Sequence, residues 1–307
     1  MANSWEEIPS ELKKVIDVEE ENDKKLIEFA RRRQGILLAI IASYVPARVS
    51  PTRTSPSFVG ISEEFGVETV LSRIRSKIPS PDVPVFLLVN SVGGSMSSSY
   101  KTSKAIRQCF KDITTYVPHM ALSGGTLLAL TGNKIVMGTM SQLSALDVQI
   151  DRGDGVVVSA NALLRSKNKL DAYFSETRVE DAPYSMKAMA DSVDPAMMEE
   201  YTSAQDTAID YIAEILAMSG YKNKTSLAKK LVFDLPTHGY VIDYGKAKKL
   251  SLKVAPHTED PEAWQLMRYW LAKYLVRAAG RHFIRCVCPQ KALGQSKRAK
   301  EETTHGA

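Results

Sequence analysis

Cysteine is scarce: Cys109, Cys286 and Cys288 are the only three among 307 residues. So few thiols build no disulfide framework, which excludes the small stapled scaffolds of secreted proteins and favours a reducing, cytoplasmic compartment. Cys286-Val287-Cys288 has no second pair nearby, so zinc is not expected, and nothing else suggests a metal or a cofactor. Long apolar runs are also missing. The stretch from Ile36 to Val45 has ten residues, about half of the roughly 20 that a membrane span needs, and reads as a buried strand. Met1 to Glu21 is polar and acidic with no apolar segment, so no secretory signal is expected. No G-x-x-x-x-G-K-[S/T] occurs, so the chain makes no ATPase of its own. The net charge is only +5, too mild to call for a nucleic-acid partner.

What is present suits one large α/β domain with extensions: 44% of residues are hydrophobic and 24% charged. Residues 1–34 read as a charged N-terminal helix ending in Arg31-Arg32-Arg33. Such a helix is ordinarily a solvated face, and a protein partner or a membrane surface is the sharper alternative. Pro46 to Pro56 carries three prolines and reads as loop. Val67, Val70, Leu71 and Ile74 repeat at helical spacing and predict a helix over Gly66–Ile78.

Three strand–turn–helix or strand–turn units follow. Val83–Val89 is an apolar strand leading to Asn90-Ser91-Val92-Gly93-Gly94-Ser95 and a helix to Cys109. Ile113–Val117 is a second strand, with a turn to Ser123-Gly124-Gly125 and another helix. Lys134–Met137 is a third, leading to Gln142-Leu143-Ser144-Ala145-Leu146-Asp147. This alternation predicts a mainly parallel sheet covered by helices. Beyond Asp151 the pattern is largely helical, at about 161–174, 185–192 and 195–219. The basic tail after Gly280 reads as disordered. The expected organisation is residues 1–34, a main domain over 35–256, and a C-terminal helix and tail over 257–307.

The two Gly-rich turns carry the chemistry. In a parallel sheet both fall at the C-terminal edge, where α/β active sites form. A serine opening a helix sits at the positive end of its dipole, beside N–H groups free to bind an anion. Glycines let backbone donors approach a substrate closely. Ser123 with such donors has the minimum for acyl transfer, a nucleophile and an oxyanion hole. Taken singly, each motif is also an ordinary turn or helix cap.

The order Asn90-Ser91-x-Gly93-Gly94, Ala121-x-Ser123-Gly124-Gly125 and Lys134-Ile135-Val136-Met137 resembles the Clp-protease/crotonase superfamily. Within it, the chain is most similar to the serine dehydrogenase proteinases and more distantly to signal-peptide peptidase A. Leu143 to Gln149 looks like a degraded form of a Leu-Gly-Pro-Ile-Asp-Pro-Gln signature, and Val92 stands where a proline is usual. Thr237-His238-Gly239-Tyr240-Val241-Ile242 and Ala247-Lys248-Lys249-Leu250 match later segments. The resemblance covers residues 35–256. It implies a Clp/crotonase-like spiral of βαβ units with a helical C-terminal part. It also implies a serine peptidase acting on peptide or protein substrates, with oxyanion donors among Gly93, Gly94 and Gly124.

Ordinary Clp peptidases place a histidine where Asp147 stands and an aspartate where His238 stands. The resemblance therefore implies the chain order Ser123, Asp147, His238, with His238 as general base and Asp147 orienting it. A triad is defined by geometry and role rather than chain order. His119, four residues before Ser123, is the rival base. Asp243 is the rival acid. A Ser–Lys dyad would draw on Lys167, Lys169 or Lys187, whereas the lysine position of the signal-peptide peptidase relatives falls near Ser203–Gln205. Two other functions remain open: an inactive binding or scaffold protein on the same fold, and an acyl-thioester enzyme of the crotonase type. A homo-oligomer is expected, with Met186, Met189, Met197 and Met198 as candidate contact residues.

Overall fold

The computed structural model describes residues 24–42, 47–50, 53–55, 59–75, 80–151, 157–277 and 282–288. The sheet is organised around two uninterrupted apolar stretches. In β1 (Ile36–Ala42) and β4 (Val85–Ser91) all seven residues are buried. Their side chains alternate between two cores. Ile36, Leu38, Ile40, Val85, Leu87 and Val89 enter one, while Leu37, Ala39, Ile41, Phe86 and Leu88 enter the other. A strand covered on both faces needs no polar side, which is why both read as continuous apolar runs. Each fully buried Leu or Ile contributes roughly 1.5–3 kcal/mol relative to exposure, so this double covering anchors the domain.

The strand order is β11 (Val254–Pro256), β7 (Lys134–Met137), β5 (Ile113–Val117), β4, β1 and β12 (His282–Val287). Every pairing along this path is parallel except that of β12 with β1. One face is covered by α2 (Ile61–Arg75), α3 (Met96–Cys109), α4 (Gly124–Ala129), α7 (Pro195–Met218) and α8 (Lys224–Phe233). The other is covered by α1, described over residues 24–32, and by α10 (Pro261–Arg277). These two contribute Leu26, Phe29, Trp264, Met267 and Trp270 to the second core.

At its C-terminal edge the sheet curls. β5 pairs with the first part of β4, and the chain then bends through Pro118 and His119. β6 (Met120–Ala121) resumes the pairing, setting Ala121 opposite Ser91. β8 (Gln142–Leu143) pairs with β6, setting Leu143 opposite Ala121, and an antiparallel bridge joins Leu143 to Ile242. The result is the mainly parallel, curled α/β architecture expected from the sequence.

Three local differences have simple causes. Within the stretch read as loop, β2 (Ala47–Ser50) and β3 (Arg53–Ser55) pair antiparallel, because the three prolines flank these arms rather than falling inside them. α2 begins at Ile61 rather than Gly66. Glu63 reaches back to accept the Gly60 N–H at 2.6 Å, a cap that apolar spacing does not reveal. Residues 282–287, placed in a disordered tail by composition, form β12 along the edge of β1. Their partner lies some 240 positions earlier in the chain, beyond any local signal. The rest of the basic tail, and the part of the N-terminal helix before residue 24, lie outside the described residues. Among the described residues, no helix is long and apolar enough to cross a membrane.

Candidate active site

The row Ser91–Ala121–Leu143–Ile242 runs across the curled edge, and the residues singled out from the sequence lie just beyond it. Gly93 is two residues past Ser91, Ser123 two past Ala121 and Asp147 four past Leu143. His238 precedes Ile242 by four on a segment running the opposite way. All four therefore fall on the same side of the row.

Ser123 caps α4 in an unusual backbone conformation, with φ 50° and ψ −124°. A non-glycine residue there stores about 1–3 kcal/mol of strain, so its surroundings must impose it. They do so through five hydrogen bonds. The Ser123 N–H donates to Ser144 Oγ at 2.7 Å. The Gly125 N–H donates to Leu122 O and the Thr126 N–H to Ser123 O, both at 2.7 Å. Thr126 Oγ1 donates to Ala121 O at 2.7 Å and accepts the Ser144 N–H at 3.0 Å, tying this turn to the strand beside it.

Gly93 lies directly against this turn. A Cβ added to it would stand 2.6 Å from Leu122 O and 2.7 Å from Ser123 Cβ, and its φ of 102° already disfavours any side chain. Its N–H donates to Ser91 Oγ at 2.9 Å. Gly94, at φ 149°, is bridged to Val59: the Val59 N–H donates to Gly93 O at 2.7 Å and the Ser95 N–H to Val59 O at 2.9 Å. Among the described residues, neither the Gly94 nor the Gly124 N–H is given to a protein acceptor.

Asp147 and His238, 91 positions apart, are hydrogen-bonded through Oδ1 and Nδ1 at 2.8 Å. The aspartate side chain is 2% exposed and the histidine 29%. The other carboxylate oxygen accepts from Ser159 Oγ at 2.5 Å and from Gln149 Nε2 at 3.1 Å. Burial by itself pushes the Asp147 carboxyl up. The hydrogen bonds from His238 and Ser159 outweigh it and hold the group below the ordinary carboxylate range. An ionised carboxylate can only accept, so the shared proton belongs on His238 Nδ1 and leaves Nε2 with a lone pair. No hydrogen bond joins Ser123 Oγ to His238.

The rivals sit elsewhere. His119 is exposed in the bend between β5 and β6, where its carbonyl accepts the Gln142 N–H at 2.8 Å. Asp243 caps α9 (Tyr244–Lys249), accepting the Lys246 N–H at 2.9 Å. On α5 (Ala160–Glu176), Lys167 pairs with Asp171 at 2.5 Å and Lys169 is exposed. On α6 (Tyr184–Asp191), Lys187 donates to Glu180 O at 3.0 Å. Gln205, in the stretch where a relative's lysine was expected, is 1% exposed and accepts the Val148 N–H at 3.0 Å. The supporting hydroxyls of Ser144, Thr126 and Ser159 were not legible in the sequence. Only Ser159 carries a local signal, as the residue that opens a helix.

The family model of the ClpP-like SDH-type serine proteinases matches residues 56–300. This chain belongs to that family. Two similar curated proteins are uncharacterized proteins of Methanocaldococcus jannaschii. One is 23% identical over 80% of this chain and 72% of its own length, and the other 26% identical over 69% and 66%. Among solved structures, a variant of the membrane-bound stomatin-specific protease 1510-N matches 64% of this chain and 75% of its own. That match has 14% identity and a TM-score of 0.41, a likeness too loose to carry an argument.

The depressed Asp147 carboxyl sets a pH signature for stability. A group whose native pKa lies below its unfolded value stabilises the fold above the unfolded value and loses that contribution as pH falls through the native one. The stability gap between the protein and its Asp147→Asn variant, from urea denaturation, should therefore persist from pH 8 to about pH 5 and close only below about pH 4. A gap that closes near pH 6 would contradict an ionised Asp147 held by three donors.

Proposed function

We propose that this member of the SDH-type proteinases is an active serine peptidase with Ser123 as nucleophile, His238 as general base and Asp147 as the residue orienting it. The observation that carries the reading is the Asp147–His238 hydrogen bond on the same edge as the strained Ser123 turn. Ser123 Oγ attacks the carbonyl carbon of a peptide bond while its proton passes to His238 Nε2. The Gly94 and Gly124 N–H groups receive the oxyanion. Gly93 is the weaker donor, because its N–H is already engaged by Ser91. Collapse of the intermediate breaks the C–N bond, and the amine leaves with the proton from Nε2. Water then repeats the sequence on the acyl-enzyme and frees Ser123. In serine hydrolases the nucleophile–base hydrogen bond is often long without substrate and tightens on binding. That accounts for a Ser123 not yet bonded to His238.

The same missing bond favours the alternative, an inactive scaffold on this fold. Hydrolysis of p-nitrophenyl acetate and of labelled casein separates the two. Ser123→Ala or His238→Ala alone should lower kcat by several orders of magnitude, as when members of a triad are removed. The double variant should be little worse than either, because the two act as a unit. Activity surviving in His238→Ala would move the base to His119 or a lysine. Activity absent from the unaltered protein would favour the scaffold.

We also place self-association on the helical arm beyond β10 (Val157–Ser159). No residue of α6 is buried, and Val179, Tyr184 and Met189 are 61%, 85% and 48% exposed. Met197 is exposed as well, while Met186 and Met198 are partly covered. Exposed apolar groups clustered in this way mark protein contacts. Light scattering at micromolar concentration should report an oligomer, and Tyr184→Glu should reduce it to monomer. A monomeric unaltered protein would contradict this.

A further inference from the structure

The Asp147 carboxylate is held by more than its histidine. β9 (Gln149–Asp151) and β10 form a hairpin in which Ser159 stands opposite Gln149. Both side chains turn to the same carboxylate oxygen, Oδ2, leaving Oδ1 to His238. The residues after Ser159 hold the neighbouring backbone. The Ala160 N–H donates to Val148 O at 3.0 Å. Asn161 Oδ1 accepts from Gln205 Nε2 at 2.8 Å, and Gln205 Oε1 accepts the Val148 N–H at 3.0 Å. Asn161 and Gln205 are 5% and 1% exposed. Asn161 Nδ2 also donates to Val232 O near the end of α8, the helix that leads into the His238 loop. One turn of chain, Ser159 to Asn161, thus reaches the acid, the backbone of Val148 beside it and the approach to the base.

We propose that Ser159 is a positioning residue for the Asp147–His238 pair, fixing the carboxylate so that Oδ1 faces the imidazole. The inference rests on the reading of that pair as the orienting acid and general base. A carboxylate anchored at one oxygen cannot rotate about its terminal bond without breaking a short hydrogen bond. The imidazole on the other oxygen is thereby kept in one orientation and one tautomer. Ser159 is also the cap of α5, accepting the Ala162 N–H at 3.3 Å, so the carboxylate anchor and the start of α5 are a single side chain.

The charges around the pair are few. Among the described residues, His238 is the one ion-pairing partner of Asp147. Arg165 of α5 gives its guanidinium to Pro236 O at 3.4 Å, Asp234 ends α8, and Asp243 with Lys246 lies beyond the loop. Removing the Ser159 hydroxyl leaves more negative charge on the oxygen facing His238. That stabilises the imidazolium, so the base becomes protonated at higher pH.

The test pairs kinetics with a readout that needs no turnover. In Ser159→Ala, kcat for ester hydrolysis should fall about tenfold or more, with KM unchanged and the acid limb of the kcat/KM profile displaced to higher pH. Ser159→Thr should restore both. Ser159→Gly, which retains most of the capping preference, should behave as Ser159→Ala, with melting curves verifying that each variant is folded. In an inactive Ser123→Ala background, 15N NMR of the His238 ring should show one tautomer, protonated at Nδ1, and adding Ser159→Ala should give a mixture. A Ser159→Ala protein with native kcat, acid limb and tautomer overturns the proposal, as does a loss of kcat with limb and tautomer unmoved. If hydrolysis proves independent of Ser123 and His238, the functional reading fails instead. The tautomer measurement still decides the role of Ser159.

Discussion

The backbone row that pairs Ser91 with Ala121, Ala121 with Leu143 and bridges Leu143 to Ile242 is the constraint on which the site depends. It joins four stretches of chain that span more than 150 positions in sequence. A strand's side chains alternate with period two, so a slip of one residue at any of these pairings would turn a site residue to the opposite face. The row is itself protected. Ala121, Leu143 and Ile242 are fully buried in the first core, and Ser91 is fully buried with its hydroxyl on the Gly93 N–H.

From that row the chemistry follows by short steps. The turn after Ala121 is forced into a left-handed conformation at Ser123 and held there by Ser144 and Thr126, which belong to adjoining segments. The turn after Ser91 needs glycine, because any side chain at Gly93 would strike the Ser123 Cβ. Asp147 is carried into the interior, where an unpaired carboxylate would be costly, and three donors make that burial tolerable. Strain at Ser123 and the desolvation of the Asp147 carboxylate each cost free energy, the second offset by its hydrogen bonds. The doubly covered β1 and β4 supply the excess that permits the strain at Ser123.

Much of this was legible in the sequence, for identifiable reasons. Ile113–Val117, Lys134–Met137 and the helix from Met96 to Cys109 declare themselves through local hydrophobicity and Gly-rich boundaries, and the structure has them at the same residues. Ser123, Asp147 and His238 were singled out from turn chemistry and from the resemblance to the serine dehydrogenase proteinases. Of these contacts, the structure adds the Asp147–His238 hydrogen bond. What stayed hidden depends on pairing across long separations. β12 meets a partner at the other end of the chain, and Ser144, Ser159 and Gln205 gain their roles only when register brings them to Ser123, Asp147 and Val148. The segment Leu143 to Asp147 looked like a degraded motif. Its departure at Ser144 supplies the acceptor for the Ser123 N–H.

Activation of Ser123 by His238 would make that serine unusually reactive towards electrophiles. Covalent trapping with a fluorophosphonate, followed by mass spectrometry of the proteolysed protein, measures that reactivity directly. A single phosphonyl adduct is expected on the peptide that contains Ser123, formed quickly in the unaltered protein and far more slowly in His238→Ala. An adduct on another serine, or hydrolysis that proceeds while Ser123 stays unlabelled, would contradict that activation.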